Sequence, residues 1–367
     1  MRKPILFVII LAFFTLLGYS ASADTLVDAS KSNTEKNVVI LCYHQFHVKK
    51  LLDASASLDN AYTISVEDFR AQMDEIKREG YTVIPLNDYL DYLAGKRDIP
   101  DKSVVITIDD GYLSVYKYAY PLLKSYKYPF TIYVYSDWIG ATKLSMTWDV
   151  IREMDKSGIV TVGSHTRRHP YMTKPSFVHS PKYKEMIHDE VYNSKVAIEK
   201  EIGHPITTLA YPYGAYNEDV ILEVIKSGYL AAVSVNSGAT NKTKNEWALN
   251  RMIVRNDTNM GMFIAMLHNM PIDVDYTMLT PYDGEAVEAA SMSLSAHILN
   301  PDVLSHPIYM YINGVDHTGE LDLSKLNNGI ITGSVTNYKK GYNMITILSH
   351  DKATGHSRGV SWGFFSK

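Results

Sequence analysis

Residues 104–113 read VVITIDDGYL, and this stretch decides the fold. Val104, Val105, Ile106, Thr107 and Ile108 form a short apolar, β-branched run bounded by a turn residue, which reads as a buried strand. Two adjacent aspartates, Asp109 and Asp110, follow, and then Gly111. An ionised carboxylate is costly to bury unless it is paired or bound to a cation. The two aspartates therefore belong at the strand's exit, where positive charge can reach them, and Gly111 lets the backbone turn there. Taken alone, the stretch also fits an acidic turn with no chemical role.

The pattern around it repeats. Val38–Leu41, Tyr81–Ile84, Phe130–Tyr135, Ile159–Val162, Thr207–Tyr211 and Leu230–Val235 read as further strands. Helical periods separate them: one from Ser65 with Asp68 as a capping-box partner, ending at Gly80, and a short one over 89–93. Others run over 115–126, with Pro121 implying a kink or late start, from Thr147 to Gly158, over 183–202, and from Asn217 to Gly228. Strand and helix alternating over some two hundred residues predict a parallel sheet, and the chemically interesting residues all fall just after strands. In a parallel α/β barrel those ends meet at one face, so a barrel-like domain with one functional rim is expected.

Beyond about Pro271 the helical period disappears. Met292–Ile298, Ile308–Ile312, Gly329–Val335, Met344–Ser349 and Gly359–Phe365 read as short strands separated by turns such as Asn313-Gly314 and Lys340-Gly341. A small antiparallel, Ig-like β-sandwich is the expectation. It either binds glycan or a partner, or packs passively.

The 367-residue chain opens with Arg2 and Lys3, an apolar run from Ile5 to Leu17, and Ser20-Ala21-Ser22-Ala23. This is the pattern of a secretory signal peptide over residues 1–23; the run is short of the roughly 20 residues of a spanning helix. Residues 24–37 are a polar leader, 38–271 the α/β domain and 272–367 the sandwich. Export to the periplasm or outside the cell follows, with membrane attachment only through an uncleaved signal peptide. Cys42 is the one cysteine, so no intrachain disulfide forms. Without Arg2 and Lys3 the chain has 34 basic and 40 acidic residues, a formal −6, which excludes a nucleic-acid-binding balance. Twenty-seven tyrosines suit a protein that stacks sugars on rings, and suit cores and strands equally.

A second chemical segment, Gly163-Ser164-His165-Thr166-Arg167-Arg168-His169-Pro170, follows another strand. Histidines four apart can share one face of a helical turn, although Pro170 biases His169 away from helical geometry. Such a pair is often a surface feature. Joined to a strand-end acidic pair, two imidazoles and one carboxylate suit a catalytic zinc ion or another divalent transition metal with room for water. The second carboxylate can then act as base, and nearby positive charge would lower both aspartate pKa values.

ITIDDGY, GSHTRRHP and Ala210-Tyr211-Pro212-Tyr213-Gly214 resemble the first three motifs of the NodB-type polysaccharide deacetylases, carbohydrate esterase family four. Order and spacing match over residues 38–270. The nearest likeness is to exported poly-N-acetylglucosamine deacetylases, which also carry a Tyr-His segment near the domain start, as at Tyr43-His44. The resemblance implies a distorted (β/α) barrel of the polysaccharide deacetylase type. It also implies Asp109 as general base, Asp110, His165 and His169 as metal ligands, and a Tyr213 backbone N–H in the oxyanion site, since Pro212 has none to give.

The chain departs from the family at Ala210, where many members have an arginine; Arg251 is a candidate substitute from another loop. The histidine acid of a late Leu-x-His motif is also missing, with His268 and His350 as weak candidates. Trp148 lines the cleft or packs in the core. The implied activity is metal-dependent removal of N-acetyl groups from an acetylated glucosamine polymer, poly-N-acetylglucosamine or peptidoglycan. The alternatives are a glycan-binding protein on a degenerate scaffold and an O-deacetylase. The sandwich is a candidate site for an envelope protein partner.

Overall fold

A computed structural model describes residues 36–50, 61–288 and 291–367. The expected signal peptide, residues 1–23, and most of the leader, residues 24–37, lie outside the described residues. Seven parallel strands in chain order form the first sheet: β1 (Val38–Tyr43), β2 (Ser103–Ile108), β3 (Phe130–Val134), β4 (Val160–Ser164), β5 (Thr208–Ala210), β6 (Ala231–Val233) and β7 (Met252–Ile253). Each pairs with the next up to β6, while β7 pairs with β1. The short strand Thr82–Val83 lies beside the start of β2.

Just before β7 the chain reaches β6 as well: Leu249 N–H donates to Ala232 O at 2.9 Å, and Ser234 N–H donates to Leu249 O at 2.8 Å. Residues 249–253 thus bring the two open edges together, which gives the distorted barrel.

Alternation of side chains sorts two cores. Val38 and Ile40, Val105, Tyr133, Ala210 and Val233 point into the barrel and meet Leu86, Tyr89 and Tyr92 around helix α2 below. The intervening Val39, Leu41, Val104, Ile106, Ile132 and Val162 face the outer helices. Those helices begin where the capping residues predict. Ser65 accepts from Asp68 N at 2.9 Å and donates to its carboxylate, opening α1 (Val66–Arg78). α2 spans Leu86–Leu93, and a π-helical turn over Val115–Ala119 precedes α3 (Tyr120–Tyr126), with Pro121 in its first turn. Thr147 caps α4 (Trp148–Asp155), α5 runs Tyr183–Ile202, Asn217 caps α6 (Glu218–Lys226), and α7 spans Met260–Leu267.

The C-terminal part is all β. β8 (Ser291–His297) pairs antiparallel with β10 (Ile330–Thr336); β9 (Tyr309–Ile312) pairs with β11 (Gly341–His350), which pairs with β12 (Ser357–Ser366). Met292, Leu294 and Ile331 of one sheet share a core with Met310, Ile345, Ile347, Trp362 and Phe364 of the other. Two sheets closing on one apolar layer make a sandwich. Among the described residues no helix is long and apolar enough to cross a membrane.

Gly163 of β4 is a test of the barrel interior. A Cβ there would run into the Tyr133 ring and lie 3.2 Å from Thr208 O. Gly163→Ala is expected to destabilise the fold by about 1–3 kcal/mol, as overpacking does, read as a lower urea midpoint at unchanged slope.

Candidate active site

The site residues sit one step past their strands while still tied to the sheet. Asp109 N–H donates to Tyr43 O at 2.9 Å, His165 N–H to Val134 O at 2.8 Å and Tyr211 N–H to Val233 O at 3.1 Å. This registers three loops on the carboxyl rim of the barrel. The loops then turn sharply: Asp110, Thr166, His169 and Tyr213 all have φ between 58° and 73°. Left-handed geometry in non-glycine residues stores strain and concentrates at functional sites. It also settles the histidine pair on a turn rather than a helix, as Pro170 had suggested.

Asp110, His165 and His169 come together. Asp110 Oδ1 lies 3.6 Å from His165 Nε2 and 3.7 Å from His169 Nε2. Metal bonds of about 2.0–2.2 Å set neighbouring donors roughly 3.3–3.6 Å apart in a tetrahedral site, so this donor set fits a zinc-like ion. His165 Nδ1–H donates to Ala210 O at 2.8 Å, which fixes the tautomer and leaves Nε2 free as a ligand. Burial lowers both imidazoles, His165 to about 4 and His169 to about 3, so both are neutral near pH 7.

The aspartates diverge. Burial alone would raise Asp109, but the Arg251 guanidinium and His165 hold it well below the usual carboxylate range. Arg251 Nη1 and Nη2 each donate to one Asp109 oxygen at 2.7 Å, and both side chains are essentially fully buried. Asp110 moves the other way: burial, then the Asp109 charge, push it up to about 7. The expectation that positive charge lowers both values holds for Asp109 only, because Arg251 is committed to that carboxylate. Among the described residues, the groups paired with Asp110 are the imidazoles of His165 and His169.

Around these residues lies a cleft of about 280 Å³, lined also by His44, Tyr62, Tyr211, Tyr213, Val235 and Ile253. His44 is the functional candidate that sequence reading passed over, noting it only as part of a likeness. The strand-end rule would have flagged it, since it follows β1 as Asp109 follows β2. A ring nitrogen of His44, an Asp109 oxygen and Cys42 Sγ lie within 4.8 Å of one another. Burial lowers His44 to about 4, and its Nδ1 is buried without a hydrogen-bond partner. Both Asp109 oxygens are taken by a cation already, which argues against a second metal there.

Other candidates fall elsewhere. His268 caps α7 and meets Glu79 Oε2 at 3.0 Å, at the end of the barrel where α1 stops and the Thr82–Val83 strand begins, away from the rim. His350 closes β11 in the sandwich. Trp148 packs against the barrel core rather than lining the cleft. Tyr211 is fully buried, whereas Tyr213 is 61% exposed at the mouth. Rings continue outward from the site: Tyr213 and Tyr135 flank His169 at 4.8 and 5.4 Å, and Trp138 stacks on Tyr135 at 5.0 Å.

The histidine loop has its own support. Glu190 of α5, 4% exposed, accepts the backbone N–H groups of Arg167 and Arg168 at 3.0 and 2.8 Å, and the Arg168 Nε–H at 2.8 Å. Thr166 Oγ1 accepts His169 N–H at 3.2 Å.

The polysaccharide deacetylase family model matches residues 96–232. The poly-β-1,6-N-acetyl-D-glucosamine N-deacetylase of Staphylococcus aureus (strain MRSA252) is 27% identical over 273 residues, covering 70% of this chain and 93% of its own. IcaB from Ammonifex degensii aligns in structure with a TM-score of 0.55 at 26% identity, across 63% of this chain and 97% of its own. The Streptococcus pyogenes deacetylase PplD shares the fold with a TM-score of 0.57 at 23% identity, over 64% of this chain and 99% of its own. With the three motifs standing on one barrel rim, the chain carries a polysaccharide deacetylase domain.

Proposed function

We propose that this protein is an exported, metal-dependent hydrolase that removes N-acetyl groups from N-acetylglucosamine units of an extracytoplasmic polysaccharide. The observation that carries the reading is the approach of one carboxylate to two neutral imidazoles beside a second, arginine-paired carboxylate. The S. aureus relative is named a poly-β-1,6-N-acetyl-D-glucosamine N-deacetylase, which supports that polymer over peptidoglycan. Residues 38–271 carry the catalysis in this reading, and the basic-apolar start of the chain supplies the export signal.

Asp110, His165 and His169 would hold a divalent metal, zinc by its donor set, which when bound lowers the pKa of water and polarises an acyl oxygen. Asp109 stays anionic through neutral pH and is the base that takes the proton of the attacking water. Arg251 fixes its orientation. The Tyr213 backbone N–H, on a turn that presents it to the cleft, donates to the developing oxyanion; one such donor is worth about 2.7–4 kcal/mol of barrier. His44 is the remaining imidazole in the cleft. Neutral at rest, it takes from Asp109 the proton that carboxylate removed from water and delivers it to the amine nitrogen as the C–N bond breaks. Ordinary ligand pockets run from roughly 300 Å³ upward, so a cleft of about 280 Å³ takes about one sugar residue with its acetamide while the polymer runs outside.

The glycan-binding alternative leaned on Ala210 and a missing acid. Arg251 against Asp109 and His44 in the cleft support the hydrolase reading on both points. O-deacetylation remains as an outcome of the assay below.

Acetate release from β-1,6-N-acetylglucosamine oligomers is measured beside chitin oligomers, peptidoglycan fragments and O-acetylated sugars, with metal analysis of the same protein. Release from the first substrate by metal-containing protein is expected, lost on chelation and restored by Zn²⁺; metal-free protein that releases no acetate overturns the reading. Asp109→Asn should keep its metal and lose roughly 10²–10⁴ of kcat, the range of general acid–base catalysis. His165→Ala should lose the metal as well, read by metal content per chain. His44→Gln should keep the metal with kcat lowered roughly 10²-fold or more; activity within a few-fold of wild type would remove His44 from the proton path.

A further inference from the structure

The sandwich is joined to the barrel by buried polar groups as well as by apolar packing, and the joint leads into the site. Tyr342 of β11 donates its O–H to Asn236 Oδ1 at 2.7 Å, and Asn236 Nδ2 donates to the Tyr216 hydroxyl at 2.6 Å. Tyr216 in turn donates to Asp283 Oδ1 and accepts the Gly363 N–H at 3.2 Å. The other Asp283 oxygen accepts from Lys244 Nζ at 2.9 Å, with both side chains at most 5% exposed. The Tyr216 ring packs at a tilt between Tyr342 at 5.3 Å and Tyr211 at 5.1 Å. The phenol end of Tyr342 lies against Gly363, where any Cβ would collide with it, and Tyr342 packs with the buried residues of the barrel domain.

The barrel ends of this network are site elements. Tyr211 and Tyr216 bracket the turn that presents Tyr213. Within that turn Gly214 has φ 68° and packs so closely on Val235 of the cleft wall that a side chain would clash. Asn236 O accepts the Arg251 N–H at 3.1 Å, and Ser234 O accepts Arg251 Nε–H at 2.7 Å. One tyrosine from the sandwich therefore touches the residue that links the Tyr213 turn to the arginine segment. Passive packing needs only apolar surface, whereas a buried polar network is tolerated only when its members are mutually satisfied, and it then fixes one geometry.

We propose that the C-terminal sandwich is a positioning element of the active site, with Tyr342, through Asn236 and Tyr216, setting the Tyr213 turn and the Arg251 segment. Tyr342, Asn236 and Tyr216 are positioning residues and do not touch the reacting atoms. The proposal rests on the deacetylase reading of the rim for its catalytic consequence, but the mechanical link can be read separately.

The test uses the full chain carrying Tyr342→Phe, which keeps the ring and removes the hydroxyl. Acetate release should fall about tenfold or more in kcat with KM within about twofold, at unchanged metal per chain, because a misplaced donor is felt in the transition state. Amide exchange of residues 211–216 and 234–237 should quicken about tenfold while residues 104–108 and 160–164 exchange as in wild type. Asp283→Asn provides the same reading from the other side of the joint if the first variant does not fold. Unchanged kcat with unchanged exchange in the two segments overturns the proposal, and so does acceleration spread evenly over the chain. If wild-type protein releases no acetate from any substrate, the deacetylase reading fails, and the exchange pattern alone decides the brace.

Discussion

Two carboxylates on consecutive residues, both under cover, cannot easily be ionised together, because each charge raises the other's pKa. The Arg251–Asp109 pair breaks that symmetry. Its guanidinium is fully buried: Nη1 and Nη2 hold the two Asp109 oxygens, Nη1 also reaches Thr107 Oγ1 at 3.1 Å, and the plane lies over Tyr133 at 5.6 Å. One aspartate is thereby held well below the usual carboxylate range, while burial and that charge push its neighbour up to about 7. Removing either member of such a pair strands a buried charge, typically worth about 3–5 kcal/mol. Arg251 also sits on the segment that closes the barrel, between Leu249 paired to β6 and Met252 paired to β1. The contact that orients Asp109 thus ties the closing segment to the strand that carries the aspartates.

Much of the fold was legible because period and punctuation agree. The apolar runs before Asp109 and His165, the Ser65, Thr147 and Asn217 caps and the glycine at 203 all read correctly from local pattern. The clustering of Asp110, His165 and His169 was legible because its members follow strands, and parallel topology gathers strand ends. What local pattern does not encode is a partner 142 residues away. Arg251 was reachable only as a candidate substitute for the arginine missing at Ala210, and it does face Asp109; nothing in its local pattern says so, because a barrel is needed to bring the segment before Met252 beside β1. His44 was missed for a simpler reason: its neighbours Cys42 and Tyr43 gave no acidic or repeated motif, so only the strand-end rule pointed there. Trp148 shows the converse, an aromatic residue at a helix start that faces the core because α4 packs its apolar face on the sheet.

Strain and support are matched loop by loop. Asp110, Thr166, His169 and Tyr213 are four of the seven non-glycine residues with positive φ among the described residues. Left-handed geometry costs roughly 1–2 kcal/mol per residue, so each loop must be over-determined by its surroundings. The first loop is held from inside the barrel, by Arg251 on Asp109. The histidine loop is held from outside, by Glu190, which gathers two backbone N–H groups that a free loop would leave to water. The Tyr213 turn is held from the sandwich side, through Tyr216 and Asp283.

Each loop therefore leans on a different buried acid, and each acid is neutralised differently. Asp109 has a guanidinium, Glu190 has Arg168 and two amides, and Asp283 has Lys244. Asp110 is the exception, since Tyr112, Tyr135 and the neutral His165 and His169 beside it offer no positive charge near pH 7. Of the four acids that shape the rim, three are satisfied by the protein's own side chains and the fourth, Asp110, is flanked by two neutral imidazoles. A divalent ion held there would have a large differential effect, because it would meet a carboxylate largely removed from water with two imidazole nitrogens within 3.7 Å of it.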